Sequence, residues 1–290
     1  MLYNNQYHHF NKRKNMNKTI LSAAIIAASF GANAVGVNGS VEYVMSSDNG
    51  VLDIKTDDTF VSFTDSESLG EGVSAYTVLS ADVDSEAGTA VTTRDALVGI
   101  KAGGVNVAVG RMANVQKDLS GATVDIFEGN GQALAGAARV NNSIKAELDM
   151  GKVTLMGGAV VEGSTGEDKA DSYEIGAMTD LGDVRVGGVY TEDLTTNVAS
   201  KVVAGSTVVG GATVGASFER AVVDTVNVVA SIDVGANTIK AGYADVEAGA
   251  DIVTLEGVHN YSNRTSAYVN VQSDSTAANE VYQVGLKHTF

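Results

Sequence analysis

From Val35 onward the chain alternates. Apolar and polar residues trade places with a period of two for almost its whole length. Val37, Gly39, Val41, Tyr43 and Met45 fall on one face, and Asn38, Ser40, Glu42 and Ser46 on the other. Val153, Leu155, Gly157, Ala159 and Val161 alternate with Lys152, Thr154, Met156, Gly158 and Glu162. Tyr173, Ile175 and Ala177 alternate with Ser172, Glu174 and Gly176, and Val184, Val186, Gly188 and Tyr190 with Asp183, Arg185, Gly187 and Thr191. This period marks strands with one apolar and one polar face. No helical stripe is expected after residue 34.

Turn signals break the runs at short intervals. Asp149-Met150-Gly151-Lys152, Asp180-Leu181-Gly182-Asp183 and Asp233-Val234-Gly235-Ala236-Asn237 are short; Asp84 to Thr89 and Gly163 to Asp171 are longer and polar. The alternation of short and long connections predicts sixteen strands, fourteen being the alternative count. They run from 37–46, 56–64, 72–82, 92–101, 104–112 and 138–148 to 264–273 and 280–290. The 25 residues from Ala113 to Ala137 form the longest connection. A soluble sandwich would bury the apolar face and use proline and tryptophan, of which the chain has none. Here the polar face suits a water-filled interior, and lipid accepts the apolar one. The expected fold is therefore all-β: a closed antiparallel transmembrane β-barrel, which also removes the sheet edges.

Composition narrows the function. With no cysteine, disulfides, zinc–thiolate sites and thiol catalysis are excluded. A formal charge of −16 argues against nucleic acid, which needs a basic face. No apolar run reaches the roughly 20 residues of a membrane-spanning helix. Residues 16–34 carry Lys18, an apolar stretch from Ile20 to Phe30 and an Ala32-Asn33-Ala34 exit, the order of a signal peptide. Residues 1–34 are thus expected to be leader and signal peptide, with Met16 as the start and an extended basic n-region as the alternative. Residues 35–290 are expected to be the barrel domain, exported and disulfide-free. His8-His9 would leave with the leader.

The last strand runs from Tyr282 to Phe290, with Tyr282, Val284, Leu286, His288 and Phe290 on one face. A terminal aromatic on an alternating strand resembles the signature of Gram-negative outer-membrane proteins. Thr93 to Ile100 with Val109-Gly110-Arg111-Met112, Arg139 to Ile144, Tyr261 to Tyr268 and Val284 to Phe290 together resemble the Gram-negative general porins. That resemblance implies a homotrimer of sixteen-stranded barrels whose third external loop folds inward. Here that loop is Ala113 to Ala137. It implies an acidic constriction loop of Asp118, Asp125 and Glu128 facing basic wall residues Arg94 and Arg139. The implied function is passive diffusion of ions and small hydrophilic solutes, with no cofactor, no metal and no enzymatic activity. The implied surroundings are outer-membrane lipid and lipopolysaccharide. With only Arg94, Arg139 and Lys117 against many carboxylates, cation preference is expected.

Two departures thin the basic wall. Phe60 stands where the family often has Arg early in the second strand, and Ser80 where it often has Glu. Parity places Glu42, Lys145, Glu147, Lys152, Glu162, Glu174, Arg185, Lys240, Glu256 and Arg264 inward too. Tyr43, Tyr173, Tyr190, Tyr243, Tyr261, Tyr282 and Phe290 fall outward and would form the aromatic girdles. Arg111 falls outward at a strand end and reads as a rim residue. Asp82-x-Asp84-x-Glu86 is an incomplete calcium spacing, better read as a solvated acidic loop that bridges divalent ions to lipopolysaccharide. The other readings are a structural or adhesive barrel with a blocked lumen, and a membrane hydrolase built on His259.

Overall fold

A computed structural model describes residues 35–84, 91–161, 170–247, 249–275 and 279–290. The leader, Glu86 and Glu162 lie outside them. Among the described residues are sixteen strands: β1 (Gly36–Asp48), β2 (Val51–Gly70), β3 (Val73–Val83), β4 (Val91–Ala102), β5 (Val105–Ala113), β6 (Arg139–Asp149), β7 (Val153–Val160), β8 (Ser172–Leu181), β9 (Val184–Asp193), β10 (Val198–Val209), β11 (Ala212–Arg220), β12 (Thr225–Val234), β13 (Asn237–Val246), β14 (Asp251–Asn260), β15 (Thr265–Asp274) and β16 (Asn279–Thr289). Each pairs antiparallel with its sequence neighbours, and β1 pairs with β16 to close the barrel.

The closure is tight at the chain end. Ser40 lies opposite Thr289 and Asp48 opposite Val281. Phe290 N–H donates to Gly39 O, and Gly39 N–H to Phe290 O, both at 3.1 Å. We call the end holding Gly39 and Phe290 the lower end, and the opposite end the upper.

Alternation here means inside-out burial. On β14, Thr254 and Glu256 are 0% and 2% exposed, whereas Val253 and Leu255 are 45% and 57% exposed. The same inversion recurs around the wall. Ser40, Glu42, Ser143, Glu219 and Gln283 are buried, while Val41, Tyr43, Ile144, Phe218 and Val284 are exposed. Such an apolar outer band is stable only against hydrocarbon. No helix is long and apolar enough to cross a membrane; the strands cross it instead.

Three expectations change. The first hairpin has no long loop over 47–55: β1 and β2 meet at Asn49-Gly50, both with positive φ (50° and 78°), the geometry of a two-residue primed turn. Residues 66–70 are strand rather than turn, because β2 runs 20 residues to Gly70. The chain also contains a helix, α1 (Val115–Thr123), inside the longest connection. An alternation search misses it because it is a single nine-residue amphipathic element.

The upper half of the wall near β1–β6 is interrupted by bulges. Asp58 and Thr59 face Val41 alone, Arg94 is an extra residue on β4, and Asn141-Asn142 face Arg111. A bulge breaks the period of two and re-aims side chains. Asp58 and Arg94 sit on these bulges, and Asp95 lies beside one.

Candidate channel lining

Helix α1 lies inside the barrel against the wall. Asn114 caps it, its side chain accepting from Lys117 N–H. Glu174 of β8 adds a second cap, its carboxylate accepting from Val115 N–H at 2.6 Å and from the Asn114 side chain. A carboxylate at a helix N-terminus is favoured by both hydrogen bonding and the helix dipole. The buried face, Val115 and Leu119, packs with Met156, Val189 and Val202 of the wall. Glycines make the room. A Cβ on Gly176 would sit 2.8 Å from Val115 Cγ1, and one on Gly187 would sit 2.7 Å from Leu119 Cδ1.

Beyond the helix the loop continues along the inside of the wall, past Gly215 of β11 and Gly242 of β13, to β14 and β16. Glu128 and Gly129 N–H groups donate to Glu256 of β14, Asn130 N–H to Gln283 of β16, and the Gln132 side chain to Thr254. The Glu128 carboxylate meets Lys287 at 2.9 Å and Lys240 at 3.4 Å. Lys240 in turn holds Glu256 at 2.9 Å, and Lys287 reaches Glu42 at 3.4 Å. Tyr268, buried inside the barrel, donates its hydroxyl to Glu42. Charges so enclosed persist only when paired and hydrogen-bonded.

The five candidate residues do not pair with one another. Asp118 on α1 pairs with Lys145 of β6 at 2.6 Å. Glu128 pairs with Lys287 and Lys240. Asp125 is exposed to the lumen and forms no ion pair among the described residues. On the wall, Arg94 is shared by Asp58 at 2.7 Å and Asp82 at 2.9 Å, and it stacks 4.2 Å above the Phe60 ring. Arg139 is held by Asp95 at 2.9 Å, and the second Asp95 oxygen accepts from Ser80. The two departures, Phe60 and Ser80, thus support the cations from a stacked ring and from a hydroxyl on Asp95.

The loop carboxylates feel this setting. Burial pushes Asp118 above its ordinary value, although Lys145 opposes it. Asp125 is raised too, first by the desolvating walls around it and then by Asp58 and Glu128, with Lys117 opposing. Glu128 is lowered, since Lys287 and Lys240 outweigh the desolvation that acts on it.

Four members of the lining are absent from the lumen residues singled out above, although parity does turn Lys287 inward. Asp58 and Asp95 flank bulges, where counting by two loses phase. Asp82 lies beside the extra residue of β4, and Lys287 shares the inward face of the last strand. Glu42, Lys145, Glu174, Lys240 and Glu256 are turned inward as parity predicts. Arg111 is no free rim charge. Its guanidinium donates to the carbonyl oxygens of Thr93, Arg94 and Arg139 and to the Asn141 side chain. It bolts the bulged strands together.

The sequence matches the model of a family described as Gram-negative porin over residues 21–279. No curated protein sequence matches it. Among solved structures, an anion-selective porin from Comamonas acidovorans superposes with a TM-score of 0.74 at 18% identity, covering 89% of this chain and all of that one. The in-vitro folded, trimeric OmpT of Vibrio cholerae gives 0.73 at 12% identity, covering 89% of this chain and 100% of that one. Salmonella typhi OmpF in complex with daunomycin gives 0.71 at 12%, covering 89% and 98%.

Proposed function

This chain belongs to the Gram-negative porin family, a family of outer-membrane channels, and from that premise we propose that it is a cation-preferring diffusion pore for ions and small hydrophilic solutes. The observation that carries the sign is the pairing of the wall. Arg94 is outnumbered by two aspartates and Arg139 is matched by a third, while Asp125 on the loop forms no ion pair among the described residues and feels only the nearby Lys117. The field left over in the lumen is negative, and a negative neck favours cations. The fold does not fix the sign, since a porin of the same architecture is described as anion-selective. The sign has to come from this chain's own residues.

In this reading Asp118, Asp125 and Glu128 form the acidic side of the constriction, and Arg94 and Arg139 the basic side. Polar solutes orient in the field between them. Asp118 and Glu128 act largely through the lysines they hold, and Asp125 acts directly. The pore works as a homotrimer in the outer membrane, among lipopolysaccharide, after loss of a leader near Ala34. It needs no catalytic residue: His259 lies on the outer face, bonded to Asn237 and packed edge-on against Tyr261.

Single-channel recording in a planar bilayer under a KCl gradient tests the proposal. Stepwise openings with a cation-signed reversal potential are expected. An anion-signed potential would refute the preference. A folded, heat-modifiable barrel that stays silent would favour a structural barrel closed by its own loop.

A further inference from the structure

The outer face of the barrel is poor in cations and rich in carboxylates at its upper rim. Those carboxylates are engaged by the girdle tyrosines. Glu192 accepts from both Tyr173 and Tyr190, Asp251 from Tyr243, and Glu280 from Tyr282. Tyrosine hydroxyls mark the level where hydrocarbon gives way to headgroups. Arg111, Lys201 and Arg220 point outward from the strands in this upper half. Arg111 is consumed by backbone carbonyls. Lys201 and Arg220 are exposed, and among the described residues the side chain of neither has an ion pair or hydrogen bond.

These two cations face each other. Lys201 on β10 lies directly opposite Arg220 on β11, and on its other side opposite Tyr190 on β9. The pair therefore sits at the level of the tyrosine girdle. One step lower, Val203 lies opposite Phe218, and both are exposed to the hydrocarbon. Like charges directly opposite on one sheet face repel. The repulsion strengthens as the surroundings lose polarity. Yet carboxylates are abundant in this chain, and among the described residues none is spent on the pair. An anion between the two would turn the repulsion into a clamp. The anion has to be at the surface, beside acyl chains, and arrive from outside the chain.

We propose that Lys201 and Arg220 clamp a phosphate of a phosphate-bearing lipid in the outer leaflet. The Arg220 guanidinium offers a planar fork that matches two phosphate oxygens, and the Lys201 ammonium adds a point charge from the neighbouring strand. The acyl chains of the same lipid would run down over Val203 and Phe218. This rests on the outer-membrane placement of the barrel and not on its conductance, so the two stand or fall separately.

The experiment is native mass spectrometry of the protein extracted from outer membranes in mild detergent. The probes are diphosphoryl lipid A, its dephosphorylated form and inorganic phosphate. Wild type should retain diphosphoryl lipid A and release the dephosphorylated form. K201Q/R220Q should lose about thirtyfold in retention, the usual size for two cations at a charged lipid surface. K201R/R220K should restore it. Heat-modifiability and conductance should be unchanged in all variants, because neither side chain faces the lumen. Equal retention by K201Q/R220Q would overturn the proposal, as would equal retention of the dephosphorylated lipid. Saturation of the pair by inorganic phosphate, with no preference for the lipid, would reassign the site to a soluble anion and overturn the lipid clamp. A silent channel that still retains lipid A through this pair would refute the pore and leave the clamp standing.

Discussion

At the scale of residues, the lumen is governed by who neutralises whom. Arg94 stands between Asp58 and Asp82, so removing either acid frees positive charge. D58N/D82N is expected to move the reversal potential toward anions, and R94Q to move it further toward cations. A KCl-gradient measurement on each variant checks both, and an unchanged potential in both would place the neck elsewhere. Glu128 supplies a pH prediction. Its carboxyl is held below the ordinary 4.5 by Lys287 and Lys240. A group whose folded pKa is depressed contributes stability above its unfolded pKa and loses it as pH falls through the folded one. The tie between loop tip and wall should hold at neutral pH and down to about pH 4.5, then release only in more acidic solution. Limited proteolysis of the loop across an acid series reads this out. E128Q should show the released pattern at neutral pH as well.

At the scale of elements, the helix and the bulges decide how the wall is used. Helix α1 stays in the lumen because glycines on β8 and β9 leave room for Val115 and Leu119. Gly176→Leu should force the helix off the wall, an overpacking cost of about 1–3 kcal/mol, seen as noisier openings and faster cleavage within 113–137. L119A should act in the same direction by leaving a cavity, at about 2–5 kcal/mol. Normal conductance and protease resistance in both would mean that the helix does not depend on this contact. These elements also show how much was legible. Strand number, closure and the bounds of the long segment follow from a period of two and its one long interruption, while its infolding was implied only by the resemblance to the general porins. Asn49-Gly50 was a readable hairpin signal, but the polar stretch around it looks like loop because both faces are polar above the membrane. The helix was not readable from alternation, since its apolar residues are few and its partners are glycines. Asp58 and Asp95 were not readable as lumen charges, because a bulge is a change of phase with no signature of its own in side-chain polarity. Arg94 and Arg139 could be placed on the wall by parity, but their partners depend on those phase changes.

At the scale of the molecule, a barrel exists only once its first and last strands meet. Phe290 closes it through two backbone bonds to Gly39, and its ring covers that glycine: a Cβ there would approach Phe290 Cζ to 2.7 Å. G39V should slow or block closure, lowering the heat-modifiable fraction on a gel. A Cβ at Gly39 would also come within 2.4 Å of Phe60 O on β2, so full heat-modifiability in G39V would show that the seam tolerates displacement of both ring and neighbouring strand. The loop, for its part, is fastened at both extremities: by an apolar seat on β7–β11 and by ions and amides on β13–β16. A member fastened along a long inner arc of a hollow cylinder is a stiffening rib. Lateral pressure in a bilayer tends to flatten such a cylinder, and here a change of curvature along that arc has to bend folded protein. The same segment that narrows the passage therefore keeps the cylinder round, so that widening the bore by excising it trades girth against stiffness.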